Sequence, residues 1–144
     1  MLTLVNIRDV DHIKHILFQD DLYEKIIDST RNPREEFIPN RFGLWYLIEV
    51  DYQEVGLLLL SPLGEGMWEG HLGLLRAYRG KGYGTQTIAL GTKILKEQFH
   101  AKKVLSQLLA KNQIPQRALK TLGWKFIKHY LDDSGQLHSY WESE

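Results

Sequence analysis

Hydrophobic and polar residues alternate along this chain in short segments that predict strands and helices in mixed order. Apolar runs and alternations rich in Leu, Val and Trp predict strands, and apolar residues three or four positions apart predict amphipathic helices. The predicted strands cover residues 2–5, 44–50, 54–60, 67–75, 104–109, 124–131 and 136–141, and the predicted helices cover 9–19, 20–28, 85–100 and 113–122. The order β-α-α-β-β-β-α-β-α-β-β predicts an α/β fold class with a mixed sheet flanked by helices.

The segments between these elements contain residues that commonly break regular structure. Residues 31–41 hold two prolines without a hydrophobic period and predict a loop, and residues 61–66 (SPLGEG) predict a turn. Asn112 and Gly123 bracket the helix at 113–122 as an N-cap and a C-terminal glycine do. Residues 104–109 are mostly apolar, so we expect this strand to be buried on both faces.

Composition narrows the classes of function. The 144 residues predict one domain, residues 1–144, and their formal net charge of zero disfavours nucleic acid or a membrane surface as partner. Without cysteine the chain has no disulfide, thiolate ligand or cysteine nucleophile. Early charge argues against a secretory signal and the apolar runs are too short to span a bilayer, so we expect a cytoplasmic protein. His12 and His15 lack a third ligand, so no metal site is predicted.

The segment Arg79-Gly80-Lys81-Gly82-Tyr83-Gly84 (RGKGYG) lies between a predicted strand and a predicted helix. Glycine lets the backbone approach a ligand closely, and the first turn of a helix carries unpaired N–H groups and partial positive charge. With Arg76 nearby, the segment predicts a phosphate cradle. It is not a Walker A loop, which needs G-x-x-x-x-G-K-(S/T), nor a G-x-G-x-x-G dinucleotide fingerprint near the first strand.

RGKGYG resembles the (Q/R)-x-x-G-x-(G/A) signature of the GNAT superfamily of acetyl-CoA-dependent N-acyltransferases. The preceding run Leu74-Leu75-Arg76-Ala77-Tyr78 is also similar to that family, as is the later series of a strand, Asn112, a short helix and Leu122-Gly123-Trp124. Residues 44–130 carry the detailed resemblance, and the other elements agree in order. The resemblance implies a GNAT-like fold in which the parallel strands at 67–75 and 104–109 splay apart to admit the cofactor.

The resemblance further implies acetyl-CoA as cosubstrate and assigns its contacts. Backbone amides of Arg79, Gly80, Lys81, Gly82, Tyr83 and Gly84 would hold the pyrophosphate. The backbone of Leu74 and Leu75 would pair with the pantetheine arm and polarise the thioester carbonyl. Asn112 would contact the pantetheine, cap its helix, or do both. Members of the family are often dimers, which makes a homodimer one candidate assembly.

Acetylation of an amine needs a base, because an amine is cationic at neutral pH. Alternation along residues 67–75 places Glu69 and His71 on one face of the strand. Family members often hold the base, or the residue that binds its water, on this strand. His71 and Glu69 are therefore the candidate catalytic residues, without a ranking between them, and a pair that merely faces solvent is the alternative.

Leu119 stands where many family members have a tyrosine that protonates the leaving thiolate. Tyr83, Tyr130 and Tyr140 are candidate substitutes, as are water and unassisted departure of the thiolate. The resemblance thus implies an N-acetyltransferase that acts on a primary amine by direct attack. A non-catalytic CoA-binding or protein-interaction domain on the same fold is the alternative.

The acceptor amine is not identified by the sequence. Asp20, Glu24 and Asp28 are four residues apart and share one helix face. This negative face would attract a cationic amine, but we interpret it as the solvated side of a surface helix. The acceptor therefore remains open among small amines, peptide N-termini and protein lysines.

Overall fold

The computed structural model describes residues 1–27, 32–39 and 43–143. Its strands are β1 (Leu2–Asn6), β2 (Leu44–Val50), β3 (Gln53–Gly64), β4 (Met67–Leu74), β5 (Lys103–Leu109), β6 (Lys125–Leu131) and β7 (Leu137–Glu142). Its helices are α1 (Val10–Leu17), α2 (Leu22–Ile26), α3 (Tyr83–Gln98) and α4 (Gln113–Thr121), with single 3-10 turns at Arg34–Glu36 and Arg76–Tyr78. This order confirms the predicted mixed α/β arrangement.

The strands form one sheet in the order β1-β2-β3-β4-β5-β7-β6. Neighbouring strands are antiparallel except for β4 and β5, which are parallel. Helices α1 and α2 cover one face, where Leu17 and Leu22 belong to the same core cluster as Leu57 of β3. On the opposite face, Leu58 of β3 shares a second cluster with Leu95 of α3. Consecutive residues of β3 thus point into cores on both sides of the sheet.

Strand β3 runs farther than the sequence predicts. Pro62 is still paired with Trp68 of β4, so the prediction of a turn over residues 61–66 is wrong in its first half. Strand β3 pairs with β2 only as far as Leu60. Beyond that residue one edge of β3 is free, and a proline that lacks an N–H donor is tolerated there. The chain reverses around Glu65, which has a φ of 56°.

The helices also differ from the predicted bounds. Helix α2 is shorter than residues 20–28, because Asp20 has a φ of 48° and Ile27 is extended. Asp28 lies outside the described residues. Helix α3 begins at Tyr83 instead of residue 85, so its first turn falls inside the RGKGYG segment. Within the predicted loop at 31–41, Arg34–Glu36 forms a 3-10 turn.

Candidate active site

Strands β4 and β5 lie side by side only at their first residues. Residues 67–69 pair with residues 103–105, and among the described residues no further pairing of these strands follows. The strands therefore diverge as the resemblance implied. In β5, residues 104–106 are buried but residues 107–109 are only half-buried. The prediction that β5 is buried on both faces is thus wrong for its second half, because that half has left β4.

The RGKGYG segment turns from β4 into α3 through two glycines with left-handed backbone. Gly80 has a φ of 74° and Gly82 a φ of 84°, a region that other residues rarely adopt. Gly82 is the N-cap of α3, and no side chain caps the helix there. A Cβ added at Gly80, Gly82 or Gly84 would meet no atom within 4 Å. The unpaired N–H groups of the first turn therefore lie beside open space, which suits an anion.

The cations of this segment differ in their partners. The guanidinium of Arg79 pairs with the carboxylate of Asp21, and its Nε donates to the carbonyl oxygen of Leu74 at 2.9 Å. The ammonium nitrogen of Lys81 lies 5.8 Å from the centre of the Tyr78 ring. Among the described residues Lys81 forms no ion pair, so its charge is available to an anion at the start of α3.

The acidic residues around α2 are exposed and also form hydrogen bonds with two arginines. Asp20 accepts a hydrogen bond from the backbone N–H of Arg76 at 2.8 Å. Glu24 accepts one from the guanidinium of Arg34 at 3.2 Å. The interpretation of this face as the solvated side of a surface helix is therefore confirmed for Asp20 and Glu24, which are exposed, although each also contacts an arginine outside α2.

At the end of β4, the backbone of Leu74 faces the gap between β4 and β5, whereas the backbone of Leu75 does not. Leu75 donates its N–H to the carbonyl of Val55 at 2.8 Å, and its own carbonyl accepts from the N–H of Tyr78 at 2.9 Å. Both backbone groups of Leu75 are thus engaged within the protein. The N–H and C=O groups of one strand residue point to the same side. Leu74 therefore directs its N–H away from β3 and toward the gap.

Asn112 precedes α4, as predicted, but its side chain makes no capping hydrogen bond. The side-chain amide of Gln116 donates instead to the carbonyls of Ala110, at 2.8 Å, and of Asn112, at 3.0 Å. The prediction of Asn112 as the N-cap residue of α4 is therefore confirmed in position, although its side chain does not supply the capping hydrogen bond. The side-chain amide of Asn112 has no hydrogen-bond partner among the described residues and remains available to a ligand.

Glu69 and His71 lie together on the sheet face that carries α1 and α2. The Nε2 atom of His71 is 2.9 Å from Oε1 of Glu69. Gln107 of β5 donates from Nε2 to Oε2 of Glu69 at 3.3 Å, and its Oε1 accepts from the hydroxyl of Tyr130 in β6. A carboxylate only accepts hydrogen bonds, so this orientation of the Gln107 amide satisfies its neighbours. We call these four side chains the Glu69 cluster.

The Glu69 cluster holds a charge in a largely buried position. The Glu69 side chain is 15% exposed. Burial would raise its pKa, but hydrogen bonds from His71 and Gln107, together with the charge of His71, hold the pKa below its ordinary value. Burial, followed by the charges of Glu69 and Asp132, raises the pKa of Tyr130. At neutral pH Glu69 is therefore ionised and Tyr130 protonated.

The structure distinguishes the three tyrosines named as substitutes for the missing one. Tyr130 belongs to the Glu69 cluster, whereas Tyr83 packs against the core beneath α3. Tyr140 is half-buried, and burial and then the charge of Glu142 raise its pKa. Leu119, at the usual tyrosine position, is 1% exposed and belongs to the packed interior.

Gln107 is the functional candidate that the sequence analysis missed. It is the only side chain with an amide in β5, whose sequence is KVLSQLL. The available signal was this long polar side chain between apolar residues of a strand predicted to be buried. Its partner Glu69 is 38 residues away, so no local spacing connects the two.

Two concave surfaces among the described residues lie apart from the Glu69 cluster. One of about 340 Å³ lies between α4 and the β6–β7 hairpin, beside Arg117, Lys120 and His129. The other, of about 270 Å³, lies beside Leu109 and Leu137. Neither includes Glu69 or the RGKGYG segment.

The described residues contain no group of three or more His, Asp and Glu side chains placed to hold a metal ion. None of their helices combines the length and the apolar character needed to cross a membrane.

Comparison with known proteins agrees with this geometry. The acetyltransferase (GNAT) domain family matches residues 2–125 of the chain. Among curated proteins, no significant sequence match is found.

Solved structures share the fold at low sequence identity. The spermidine/spermine N-acetyltransferase SpeG from Vibrio cholerae, in complex with manganese ions, has a TM-score of 0.75 and 15% identity, covering 99% of this chain and 91% of that one. The ribosomal-protein-S5-alanine acetyltransferase from Vibrio fischeri has a TM-score of 0.64 and 12% identity, covering 71% of this chain and 61% of that one. Likeness at these identities shows the fold.

Proposed function

Because the chain belongs to the acetyltransferase (GNAT) domain family, we propose that it transfers the acetyl group of acetyl-CoA to a primary amine. The observation that carries this proposal is the gap between β4 and β5, which has an uncapped helix start near one end and Glu69 near the other. Acetyl-CoA needs an anion site for its pyrophosphate and acid–base groups near its thioester. We infer that the gap serves both needs, with the anion site at the start of α3, after β4 ends, and Glu69 on β4 itself.

The residues along the gap fit acetyl-CoA. Backbone N–H groups of residues 80–84 hold the pyrophosphate, in the open space beside the glycines, and Lys81 adds a free positive charge. The predicted contact of the Arg79 N–H is not retained, because that group donates to the carbonyl oxygen of Arg76 at 3.2 Å. The N–H of Leu74 and the side-chain amide of Asn112 face the pantetheine arm. When bound, acetyl-CoA supplies the thioester that the amine attacks.

Glu69 prepares the acceptor amine. Its ionised carboxylate attracts the ammonium form of the amine, and water bound at Glu69 takes the first proton. The amine nitrogen then forms a bond to the acetyl carbon while the carbon–sulfur bond breaks. The nitrogen gives up its second proton to water, and the departing thiolate takes a proton from water, so that one proton is released to solvent overall. The hydroxyl proton of Tyr130 is held by Gln107, so we assign protonation of the sulfur to water in the open gap.

The acceptor is a primary amine that is cationic in solution. The two solved relatives are named for different acceptors, spermidine or spermine in one and a protein alanine in the other. Both acceptors present an ammonium group at neutral pH. The negative charge of Glu69 suits that shared feature, and the choice between acceptors requires a direct assay.

A second candidate function is a CoA-binding domain without catalysis. Leu119 favours it, because this buried leucine takes the place of the family's usual tyrosine. Such a protein would bind acetyl-CoA and release no thiol with any amine. Turnover therefore separates the two functions, whereas cofactor binding tests what they share.

The first test of the cofactor site is titration calorimetry with acetyl-CoA. Gly82→Asp places a carboxylate at the start of α3 and should weaken binding by about a hundredfold or more, through repulsion of the pyrophosphate and strain. Gly135→Asp is the matched control, because Gly135 has a φ of 85° and equally open surroundings in the β6–β7 turn. No binding to the wild type, or equal binding to both variants, would overturn the cofactor assignment.

A further inference from the structure

Two neighbouring carboxylates at the start of α2 reach the turn that leads into the RGKGYG segment. Asp20 accepts a hydrogen bond from the backbone N–H of Arg76 at 2.8 Å. Asp21 pairs with the guanidinium of Arg79, which is the first residue of the segment. The Asp21 and Arg79 partners are 58 residues apart, so this contact joins two otherwise separate parts of the chain.

Arg79 uses the remainder of its guanidinium to hold the end of β4. Its Nε donates to the carbonyl oxygen of Leu74 at 2.9 Å. The side chains of Arg79 and Asp21 are 31% and 35% exposed, so the pair is partly shielded from water. Arg79, the first residue of the RGKGYG segment, thus connects the last residue of β4 to the start of α2.

Asp21 is held in place because the helix that follows it, α2, packs against the sheet. The next residue, Leu22, is fully buried, and α2 packs directly on β4. A Cβ built on Gly73 would lie 3.2 Å from the Leu22 side chain and 3.4 Å from that of Ile26. Asp21 therefore extends from a helix that is fixed against the same strand whose end Arg79 holds.

Charge alone does not explain why acidic residues lie here. A pyrophosphate site favours positive charge, and a carboxylate near it opposes anion binding. Asp21 also occupies the guanidinium that would otherwise attract the phosphates. The arrangement is accounted for if the position of the backbone N–H groups contributes more than the charge of Arg79.

We propose that Asp21 is a positioning residue for the RGKGYG segment. By holding Arg79 against Leu74, it fixes where the segment leaves β4 and so orients the N–H groups of Gly80–Gly84 before the cofactor binds. This inference rests on the proposed function and adds a residue outside the family signature. It also links α2, on one face of the sheet, to the cofactor site.

The test compares the affinity for acetyl-CoA of the wild type, Asp21→Asn, Asp21→Glu and Glu24→Gln. Asp21→Asn should bind about tenfold more weakly, because it loses the charged hydrogen bond to Arg79. Asp21→Glu, which restores the charge, should recover most of the affinity. Glu24→Gln removes the same charge from the exposed side of α2, where its partner is Arg34, and should bind as the wild type does.

The sign of the Asp21→Asn effect is decisive. If Asp21 acts only through its charge, its removal should tighten binding of the anionic cofactor, and unchanged or tighter binding would overturn the proposal. Thermal unfolding of the four proteins serves to exclude general loss of structure as the cause of weaker binding.

Hydrogen exchange separates failure of this inference from failure of the proposed function. In the protein without ligand, the backbone amides of residues 80–84 should exchange faster in Asp21→Asn than in Glu24→Gln. If the wild type does not bind acetyl-CoA but this difference is found, the proposed function fails and the positioning role stands. Equal exchange in the two variants would refute the positioning role whatever the cofactor.

Discussion

Glu69 keeps its negative charge in a largely buried position because two different strands supply its hydrogen-bond donors. His71 lies two residues away on β4, whereas Gln107 reaches it from β5. The lowered pKa makes Glu69 a weak base for an ammonium ion but a suitable site to attract one and to order water beside it. At the scale of the residue, the proposed chemistry therefore depends on keeping this carboxylate ionised.

Replacing Gln107 should move the titration of Glu69. The change Gln107→Leu removes the donor to Oε2 and should raise the pKa of Glu69, so that the carboxylate protonates at higher pH as the solution is acidified. Carbon-detected NMR titration of the Glu69 carboxyl measures this directly. The acid limb of kcat/KM should shift to higher pH in the same variant.

The control for this titration is Gln98→Leu, the same substitution at an exposed position near the end of α3. It should leave both the Glu69 titration and the pH profile unchanged. The groups that interact electrostatically with Glu69 are His71, Tyr130 and Tyr140, so their titrations are followed as well. A Glu69 pKa that is the same in Gln107→Leu and the wild type would contradict the assigned role of Gln107.

At the scale of the element, the width of the gap depends on two strand contacts. Strand β4 packs closely against β3 along its length, whereas β5 diverges from β4. Gly56 of β3 is buried opposite Leu74. A Cβ added to Gly56 would lie 2.2 Å from the carbonyl oxygen of Gly73 in β4. Such contact is with backbone, which cannot rotate away, so the strand itself would have to move. Strand β4 forms one wall of the gap, and its position therefore depends on the absence of a side chain at Gly56 of β3.

The change Gly56→Ala should destabilise the protein by about 2 kcal/mol or more, as overpacking of a buried site does. It should also weaken acetyl-CoA binding, because β4 forms one wall of the gap. Denaturant unfolding and calorimetry measure the two effects. In the control Gly70→Ala, on β4 itself, the added Cβ would lie 3.6 Å from Leu60, an ordinary contact. Equal stability of the two variants would contradict the close β3–β4 contact.

At the scale of the whole molecule, the order of elements and the splayed strands could be predicted, because local patterns and a family signature encode them. The extension of β3 through Pro62 could not, since it depends on a free edge that only the assembled sheet reveals. The contacts of Gln107 with Glu69 and of Asp21 with Arg79 join distant residues. A single sequence offers no spacing from which to infer such pairs.

The gap between β4 and β5 is proposed to support acetyl transfer to an amine activated at Glu69. The most direct measurement is thiol release from acetyl-CoA with a panel of polyamines, small primary amines and peptides, for the wild type and Glu69→Gln. We expect turnover with at least one amine. We also expect kcat/KM to fall by about a hundredfold or more in Glu69→Gln, with unchanged affinity for acetyl-CoA. Turnover that is insensitive to Glu69→Gln, or bound acetyl-CoA that reacts with no amine, would contradict this claim.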